Sequence, residues 1–388
     1  MTDLSTSENN DAPNVNLALR IFQWLFVLFL IYMLITAVGM IGSGFKGATK
    51  GQATDLFAFA TNPFMGLIVG VIATAMIQSS STVTSIIVGL VAGGLSVEMA
   101  VPMIMGANIG TTITNTIVSL GHIGKKKEFR RAFAAATVHD FFNLLAVMIF
   151  LPIEIIFHPL QKIAGFLAAH FVGGENLSVK GLNFIKPLTK PVIAEFKNLA
   201  EMISEQASSV ILIIFGIFVI FFSIILVGKL LKKLMVGRAK QIMHSSIGRG
   251  PISGITSGAV VTVLVQSSST TTSLMVPLAG SGIFKLKQIY PFTLGANIGT
   301  TITALLAATA ISGPTAILAL QIALVHLIYN SSAVLLIYGI KTLRNIPLRG
   351  AMWMARIAAE RKIFALLYMI GVFFVIPGLM VFIYQLIA

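Results

Sequence analysis

The sequence predicts an all-α polytopic membrane protein with two inverted-topology repeats, each containing a re-entrant helical hairpin that carries a QSSS motif. The first observation behind this prediction is composition. The 388 residues are 56% hydrophobic and only 10% charged, whereas a soluble domain has about 25% charged residues. The second is a set of apolar runs long enough to cross a bilayer, such as 21–42, 209–228 and 363–387. The third is an internal repeat.

The repeat relates two halves of the chain at an offset of about 188 residues, set by Gln78 and Gln266. A QSSS segment, an unaltered GANIGTTIT and a His-bearing segment recur in the same order. The matched segments are 77–85 with 265–273, 106–114 with 295–303, and 138–143 with 325–330. Each GANIGTT segment is expected to lie in one continuous span, 99–120 in the first half and 289–311 in the second.

These repeats divide the chain into five segments. We expect a polar N-terminal tail at 1–20, a first membrane unit at 21–157, an extracytoplasmic or interfacial segment at 158–207, a second membrane unit at 208–342, and a basic loop with a final transmembrane helix at 343–388.

The basic residues indicate topology. The net charge is +14, concentrated at 124–131, 229–240 and 341–362, beside apolar spans. This is the pattern of cytoplasmic loops in contact with anionic membrane lipids, and nucleic acid is not the expected partner. The counterpart of 124–131 in the second half, 311–316, is uncharged and is expected outside. Equivalent loops on opposite sides define inverted repeats.

The QSSS motifs predict a site for a small oxyanion. Non-helical backbone at membrane depth needs protein or a polar cavity around it. Serine and threonine favour helix N-caps, and a helix that starts inside the membrane attracts an anion. Glutamine amides and hydroxyls add donors. The candidate anion ligands are Gln78, Ser79, Ser80, Ser81, Gln266, Ser267, Ser268 and Ser269.

Neither hairpin contains a Lys or Arg to balance an anion, so bound cations are expected to supply the charge. Oxygen ligands suit hard cations, and the repeated segments offer Asn108, Thr111, Thr112, Asn297, Thr300 and Thr301. Asp140 is a carboxylate in an apolar span, and we interpret it as a sodium ligand. The alternatives are a partner for His139 or for a backbone donor, or a position at the interface. His139 and His326 are expected to form hydrogen bonds between helices.

The QSSS pair, the GANIGTT pair and EFRRAFAAATVHDFFN at 128–143 resemble the type II sodium/phosphate cotransporter family. The resemblance implies sodium-driven phosphate uptake, with phosphate at the QSSS segments and sodium foremost at Asn297, Thr300 and Thr303. An Asp after the V-H pair, here Asp140, goes with electrogenic transport. The full set of candidate sodium ligands is Asn108, Thr111, Thr112, Asp140, Asn143, Asn297, Thr300, Thr301 and Thr303.

Animal members of this family have long termini and a cysteine-bridged extracellular loop, whereas this chain has no cysteine. It resembles a bacterial member, which would reside in the inner membrane. No cofactor is expected besides the transported ions, and an oligomer is compatible with the sequence. Three alternatives stay open: a transporter of another oxyanion such as sulfate or arsenate, a passive anion channel, and a membrane enzyme using a serine with His139 and Asp140.

Overall fold

The computed structural model describes residues 17–49, 62–173, 185–204, 207–311 and 313–387. Their regular secondary structure is helical throughout. Six of the described helices are long and apolar enough to span a membrane, at Ile21–Ala48, Lys126–Phe157, Ser208–Leu230, Leu286–Thr309, Ala316–Tyr338 and Ile363–Leu386. The prediction of an all-α polytopic membrane protein agrees with this architecture.

The first half of the chain contains eight helices within the described residues. They are α1 Leu17–Thr49, α2 Pro63–Ile77, α3 Ser80–Gly93, α4 Val97–Gly110, α5 Ile113–Leu120, α6 Lys126–Phe157, α7 Pro159–Gly173 and α8 Ile185–Ile203. The predicted N-terminal tail at 1–20 lies outside the described residues up to 16, and residues 17–20 belong to α1.

The second half repeats much of this order. Its helices are α9 Ser208–Ser246, α10 Pro251–Val265, α11 Ser268–Ser273, α12 Met275–Ser281, α13 Leu286–Thr309 and α14 Ala316–Ala333, which a π-helical turn continues to Tyr338. The chain then forms α15 Lys341–Glu360, α16 Ile363–Ile370 and α17 Ile376–Ile387, with a π-helical turn at Gly371–Val375.

Glycine allows two pairs of helices to pack backbone against backbone. A Cβ at Gly70 or Gly106 would overlap a carbonyl oxygen across the contact between α2 and α4. A Cβ at Gly258 or Gly295 would do the same between α10 and α13. Small residues at matched positions therefore bring each QSSS-bearing element close to the GANIGTT helix of its own half.

The two halves also pack against each other in corresponding ways. Helix α1 packs along α9, α3 contacts α13, and α11 contacts α5. The helix that follows each QSSS motif therefore touches the GANIGTT segment of the opposite half. This interlocking places the polar repeats of both halves in one region of the molecule.

The predicted span 99–120 is wrong as one helix, because the chain divides there into α4 and α5, whereas α13 runs unbroken through the equivalent residues. The residues that follow the two threonines explain the difference. Both halves continue with Ile-Thr, at 113–114 and 302–303, after which the first half has Asn115 and Thr116 and the second half has Ala-Leu-Leu-Ala-Ala at 304–308. Alanine and leucine favour helix, and threonine and asparagine favour it less.

The predicted basic loop at the start of 343–388 is also wrong, because 341–360 forms α15. Its buried residues Pro347, Leu348, Ala351, Met354 and Ala358 share one face, which packs on α6. Apolar residues at three- and four-residue spacing define that face. The basic run 229–240 likewise continues α9 as helix. The segment 158–207 contains α7 and α8, and α7 packs on α14.

Candidate functional site

Each QSSS motif forms the turn between two helices, and the two turns have the same backbone conformation. Gln78 ends α2 with φ 55° and ψ 28°, and Gln266 ends α10 with φ 54° and ψ 28°. Ser79 and Ser267 then return to extended backbone. The left-handed region is uncommon for residues other than glycine, so its repetition at the same residue type indicates that the turn has one required shape.

The first serine of each motif is the N-cap of the next helix, so the helix begins within the QSSS run and not after it. Ser79 Oγ accepts a 3.2 Å hydrogen bond from the amide of Thr82. Ser267 Oγ accepts a 3.1 Å bond from the amide of Thr270. Each serine hydroxyl also meets the hydroxyl of the same threonine, at 2.8 and 3.0 Å. The caps fix where each helix begins.

The caps leave two further amides at each helix start with no acceptor inside the helix. The first main-chain bonds of the two helices begin at Val83 and Thr271. The four earlier amides belong to Ser80, Ser81, Ser268 and Ser269, whose side chains are all buried. Amide groups at the start of a helix are the donors that bind anions. The turns therefore present amides together with hydroxyls.

Among the described residues, the Gln266 side chain has a polar side-chain partner and the Gln78 side chain has none. Thr303 Oγ1 donates a 3.1 Å bond to Gln266 Oε1, and Gln266 Nε2 donates to the Val263 carbonyl at 2.7 Å. The equivalent of Thr303 is Thr114, whose buried hydroxyl has no hydrogen-bond partner among the described residues. Gln78 is exposed. The two motifs thus share a backbone but differ in how their glutamine side chains are held.

Four candidate threonines in the GANIGTT segments donate their hydroxyls to main-chain carbonyls. Thr111 and Thr300 donate to the carbonyl four residues earlier, at 2.8 and 3.0 Å. Thr112 and Thr301 donate to the carbonyl three residues earlier, at 2.8 and 2.7 Å. All four are buried. Because the proton is used in this way, the lone pairs of each hydroxyl oxygen face away from the helix backbone and can bind a cation.

The Asn108 side chain joins the first half of the chain to the second. Its Nδ2 donates a 2.7 Å bond to Asn330 Oδ1, and its Oδ1 accepts a 3.3 Å bond from His326 Nε2. All three residues are buried. The carboxamide is therefore engaged at both ends.

The Asn297 side chain makes the equivalent link in the opposite direction. Its Nδ2 donates a 2.8 Å bond to Asn143 Oδ1, and its Oδ1 accepts a 2.6 Å bond from His139 Nε2. Asn143 Nδ2 donates in turn to the Asn108 carbonyl at 2.7 Å. The two links match residue for residue across the repeat. Asn108, Asn143 and Asn297 thus hold the halves together, and a cation could use only the remaining lone pair of each oxygen.

Asp140 is 1% exposed and has one open oxygen. Its Oδ2 accepts a 2.8 Å bond from the Tyr368 hydroxyl in α16. Its Oδ1 is buried with no hydrogen-bond partner among the described residues, and the Thr112 side chain is a polar neighbour. His139 points instead to Asn297. Asp140 is therefore not paired with His139 and is not exposed at an interface. In addition, no serine in the described part of the chain hydrogen-bonds to His139.

Two residues with polar partners were missed in the sequence, the partly buried Tyr368 and the buried Glu154. Tyr368 lies in the final helix, outside both repeats, and nothing in its spacing relates it to Asp140. Glu154 is a carboxylate in the apolar part of α6, which is a visible signal. It accepts bonds from the amides of Leu160 and Gln161 at 2.8 and 3.0 Å, so it caps α7 and takes no part in the polar region. The described residues contain no cluster of three or more His, Asp or Glu side chains that could hold a metal ion.

Known proteins match much of this chain. Sodium-dependent phosphate transport protein 2B of Homo sapiens is 34% identical over 435 residues, covering 89% of this chain and 63% of the human protein. Protein 2A of Rattus norvegicus is 34% identical, covering 90% of this chain and 66% of the rat protein. Protein 2B of Bos taurus is 34% identical, covering 97% and 67%. The chain thus spans about two thirds of the length of these relatives. No solved structure matches it.

The family model described as Na+/Pi-cotransporter matches residues 33–173 and 218–346, which include both QSSS turns, both GANIGTT segments and both His-bearing helices. These are the sequence elements that recur in both halves. The chain belongs to the Na+/Pi-cotransporter family.

Proposed function

We propose that this protein is a sodium-coupled secondary transporter that takes up inorganic phosphate by alternating access. The observation that carries the proposal is the pair of serine-capped QSSS turns, with matching backbone and buried serines in both halves. Such turns offer amide and hydroxyl donors to an anion. The names of the human, rat and bovine relatives support phosphate and sodium as the transported ions.

Phosphate is proposed to dock between the two turns, at Gln78 to Ser81 and Gln266 to Ser269. The serine hydroxyls can both donate and accept. The monovalent form of phosphate also donates hydrogen bonds, whereas sulfate at neutral pH only accepts them. A site that combines amide donors with hydroxyl oxygens therefore favours phosphate over sulfate.

Sodium is proposed to supply the positive charge that the QSSS elements lack, since 62–96 and 251–283 contain no Lys or Arg. Two positions could provide oxygen ligands for sodium, each from a different set of residues. The Asp140 carboxylate, whose Oδ1 is open, has Thr112 as a polar neighbour, and Thr303 donates a hydrogen bond to Gln266. Thr111, Thr300 and Thr301 keep hydroxyl lone pairs for the same purpose. The family resemblance assigns Asp140 to electrogenic transport, so each cycle would move net charge.

The proposed architecture is a pair of inverted repeats, with the QSSS elements entering the membrane as re-entrant hairpins from opposite sides. The matched links through Asn108 and Asn297 support a two-fold relation between the halves. Rocking of one half against the other would then open the site to each side in turn. The absence of cysteine from the sequence, in contrast to the cysteine-bridged loop of the animal members, supports a bacterial protein in the inner membrane.

Phosphate uptake into proteoliposomes tests this function, with an inward sodium gradient and the membrane potential set independently. We expect uptake that requires sodium and increases when the inside is negative. Sodium-dependent uptake that ignores the potential would refute electrogenic transport and the role of Asp140. Uptake that proceeds down a phosphate gradient without sodium would indicate a passive anion channel. Sodium-dependent uptake of sulfate without phosphate would make the substrate another oxyanion.

A further inference from the structure

A cavity of about 400 Å³ lies where α6, α12, α13 and α15 meet, away from both QSSS turns. Its wall includes the cationic side chains Arg130, Arg131, Lys285 and Arg356. The remaining wall is mostly apolar, with Phe284, Leu286 and Met352 among its residues. No Asp or Glu lines it.

The four cations converge from three parts of the chain. Arg130 and Arg131 lie in the first turns of α6, Lys285 directly precedes α13, and Arg356 lies in α15. None of the four forms a salt bridge within the described residues. The nearby carboxylate of Glu128 is already used by Lys125, at 3.0 Å. All four side chains are exposed, so water and salt screen part of their mutual repulsion, and a bound anion would reduce it further.

The helix ends around the cavity also favour the binding of an anion. Helix α13 begins at Leu286, which lines the cavity, and the positive end of its dipole lies there. Arg131 is not needed to cap α12, because the carbonyls of Leu278 and Ala279 already accept bonds from the amides of residues 282–284. Its guanidinium lies instead against Gly282, where a Cβ would stand 2.7 Å from Nη1.

We propose that this cavity binds a phosphate-bearing anion, at a site separate from the transport site. Arginine forks bind phosphate oxygens in a bidentate manner. Basic pockets between the helices of membrane proteins hold lipid head groups, and the apolar part of this wall suits the glycerol and acyl portion of a phospholipid. The same charges could hold a free phosphate ion, so an experiment must decide whether the bound phosphate group belongs to a lipid or to the free ion.

The test measures binding to purified protein in detergent without sodium. The probes are dioctanoylphosphatidylglycerol, its zwitterionic counterpart dioctanoylphosphatidylcholine, and inorganic phosphate. The key variant is Arg356→Gln, and its matched control is Arg349→Gln, which removes an exposed arginine from the same helix outside the cavity. A second variant combines Arg131→Gln with Arg356→Gln. The Tm of each variant without ligand is measured to establish that it is folded.

We expect Arg356→Gln to weaken binding of phosphatidylglycerol at least tenfold, the double variant to weaken it further, and Arg349→Gln to change it less than twofold. Phosphatidylcholine should bind weakly to all of them. If the same variants affect inorganic phosphate and leave phosphatidylglycerol unchanged, the site takes the free ion. Equal binding of both anionic probes by wild type and both cavity variants would overturn the proposal, as would an equal loss in Arg349→Gln. Because no sodium is present, failure of the transport proposal would not alter these results.

Discussion

The Tyr368 hydroxyl donates a 2.8 Å hydrogen bond to Asp140 Oδ2, between residues 228 positions apart in the chain. Tyr368 also packs its ring against Phe133 and Phe141 on α6. The helix that carries Tyr368 has no counterpart in the repeats. It nevertheless binds Oδ2 of Asp140, while Oδ1 of the same carboxylate is open. The final helix therefore holds Asp140 through Oδ2 and leaves Oδ1 without a hydrogen-bond partner among the described residues.

Tyr368→Phe should weaken sodium binding while preserving phosphate transport at saturating sodium. The change removes one hydroxyl and keeps the ring contacts. A hydrogen bond to a charged group contributes about 1.5–3 kcal/mol, so we expect the sodium concentration at half-maximal uptake to increase about tenfold or more. Sodium titration of phosphate uptake in proteoliposomes measures this.

Tyr384→Phe is the matched control, since Tyr384 lies in α17 of the same C-terminal region and loses the same hydroxyl. Its sodium dependence should equal that of the wild type. A Tyr368→Phe variant with unchanged sodium dependence would show that the tyrosine only packs against α6 and does not position the carboxylate.

Asp140→Gly should remove the voltage dependence of uptake while part of the transport remains. A net charge moved across the membrane contributes about 2.3 kcal/mol per 100 mV, so its loss should flatten the response of uptake to the imposed potential. Glycine also weakens the helix, by about 1 kcal/mol. Asp140→Asn keeps the shape and removes the charge, and it should lose voltage dependence as well. Voltage dependence retained in both variants would exclude Asp140 from the charge movement.

Ser79→Ala and Ser267→Ala should each weaken phosphate binding about tenfold or more, because each removes a hydroxyl at the proposed anion site. Both serines are also N-caps, and losing a cap costs about 0.5–2 kcal/mol of stability. Ser96→Ala separates the two effects. Ser96 caps α4 by accepting a 3.3 Å bond from the Met99 amide, away from the QSSS turns.

The three serine variants are compared by phosphate titration of uptake and by Tm. Ser96→Ala should lower the Tm and leave phosphate affinity unchanged. Normal phosphate affinity in both Ser79→Ala and Ser267→Ala would contradict the assignment of the QSSS turns as the anion site.

The helix–turn–helix elements that carry the repeated motifs could be predicted from the sequence, because segments that recur at a fixed offset share their local geometry. That serine or threonine caps these helices followed from residue type, but which serine forms the cap, Ser79 and Ser267, did not. The links from Asn108 to Asn330 and from Asn297 to Asn143 did not, because side-chain pairing across the halves depends on how the halves dock. The sequence identified Asn108, Asn143 and Asn297 as candidate sodium ligands, but it did not identify Asn330 and could not distinguish an ion ligand from a hydrogen-bonding link between the halves.

Local propensity also explains two errors. The division at Thr111 and Thr112 depends on the weak helix formers that follow, and a comparison of 113–120 with 302–309 would have revealed it. Helix α15 was obscured by its charges, since its apolar face is visible only when the residues are read at helical spacing. Tyr368 had no sequence signal, because its contact with Asp140 is set by the docking of a helix outside the repeats.

Gly258→Ala should destabilise the protein, because the new Cβ would overlap the Phe292 carbonyl of α13. Overpacking costs about 1–3 kcal/mol, and a clash with backbone leaves little room to relax. Gly378→Ala is the control, since a Cβ there meets nothing within 4 Å. We expect a lower Tm for Gly258→Ala and an unchanged or slightly higher one for Gly378→Ala. Equal Tm values would show that α10 and α13 do not pack backbone to backbone.

Asn143→Ala separates a link between the halves from a sodium ligand. The variant loses the bonds to the Asn108 carbonyl and to Asn297 Nδ2, at 2.7 and 2.8 Å. Hydrogen bonds between membrane helices contribute about 0.6 kcal/mol each on average and up to about 1.7. We therefore expect a free-energy loss of about 1–3 kcal/mol and a lower Tm without sodium.

The decisive comparison is the increase in Tm when sodium is added to the variant and to the wild type. Because the Asn143 oxygen already accepts a bond from Asn297, we expect sodium to stabilise both proteins by the same amount. Suppose instead that Asn143→Ala has the Tm of the wild type without sodium but shows no increase in Tm when sodium is added. Asn143 would then be a sodium ligand, and its hydrogen bond to Asn297 would not be what holds the halves together. A loss of both would assign the residue both roles, since the second lone pair of Oδ1 is free to bind the ion.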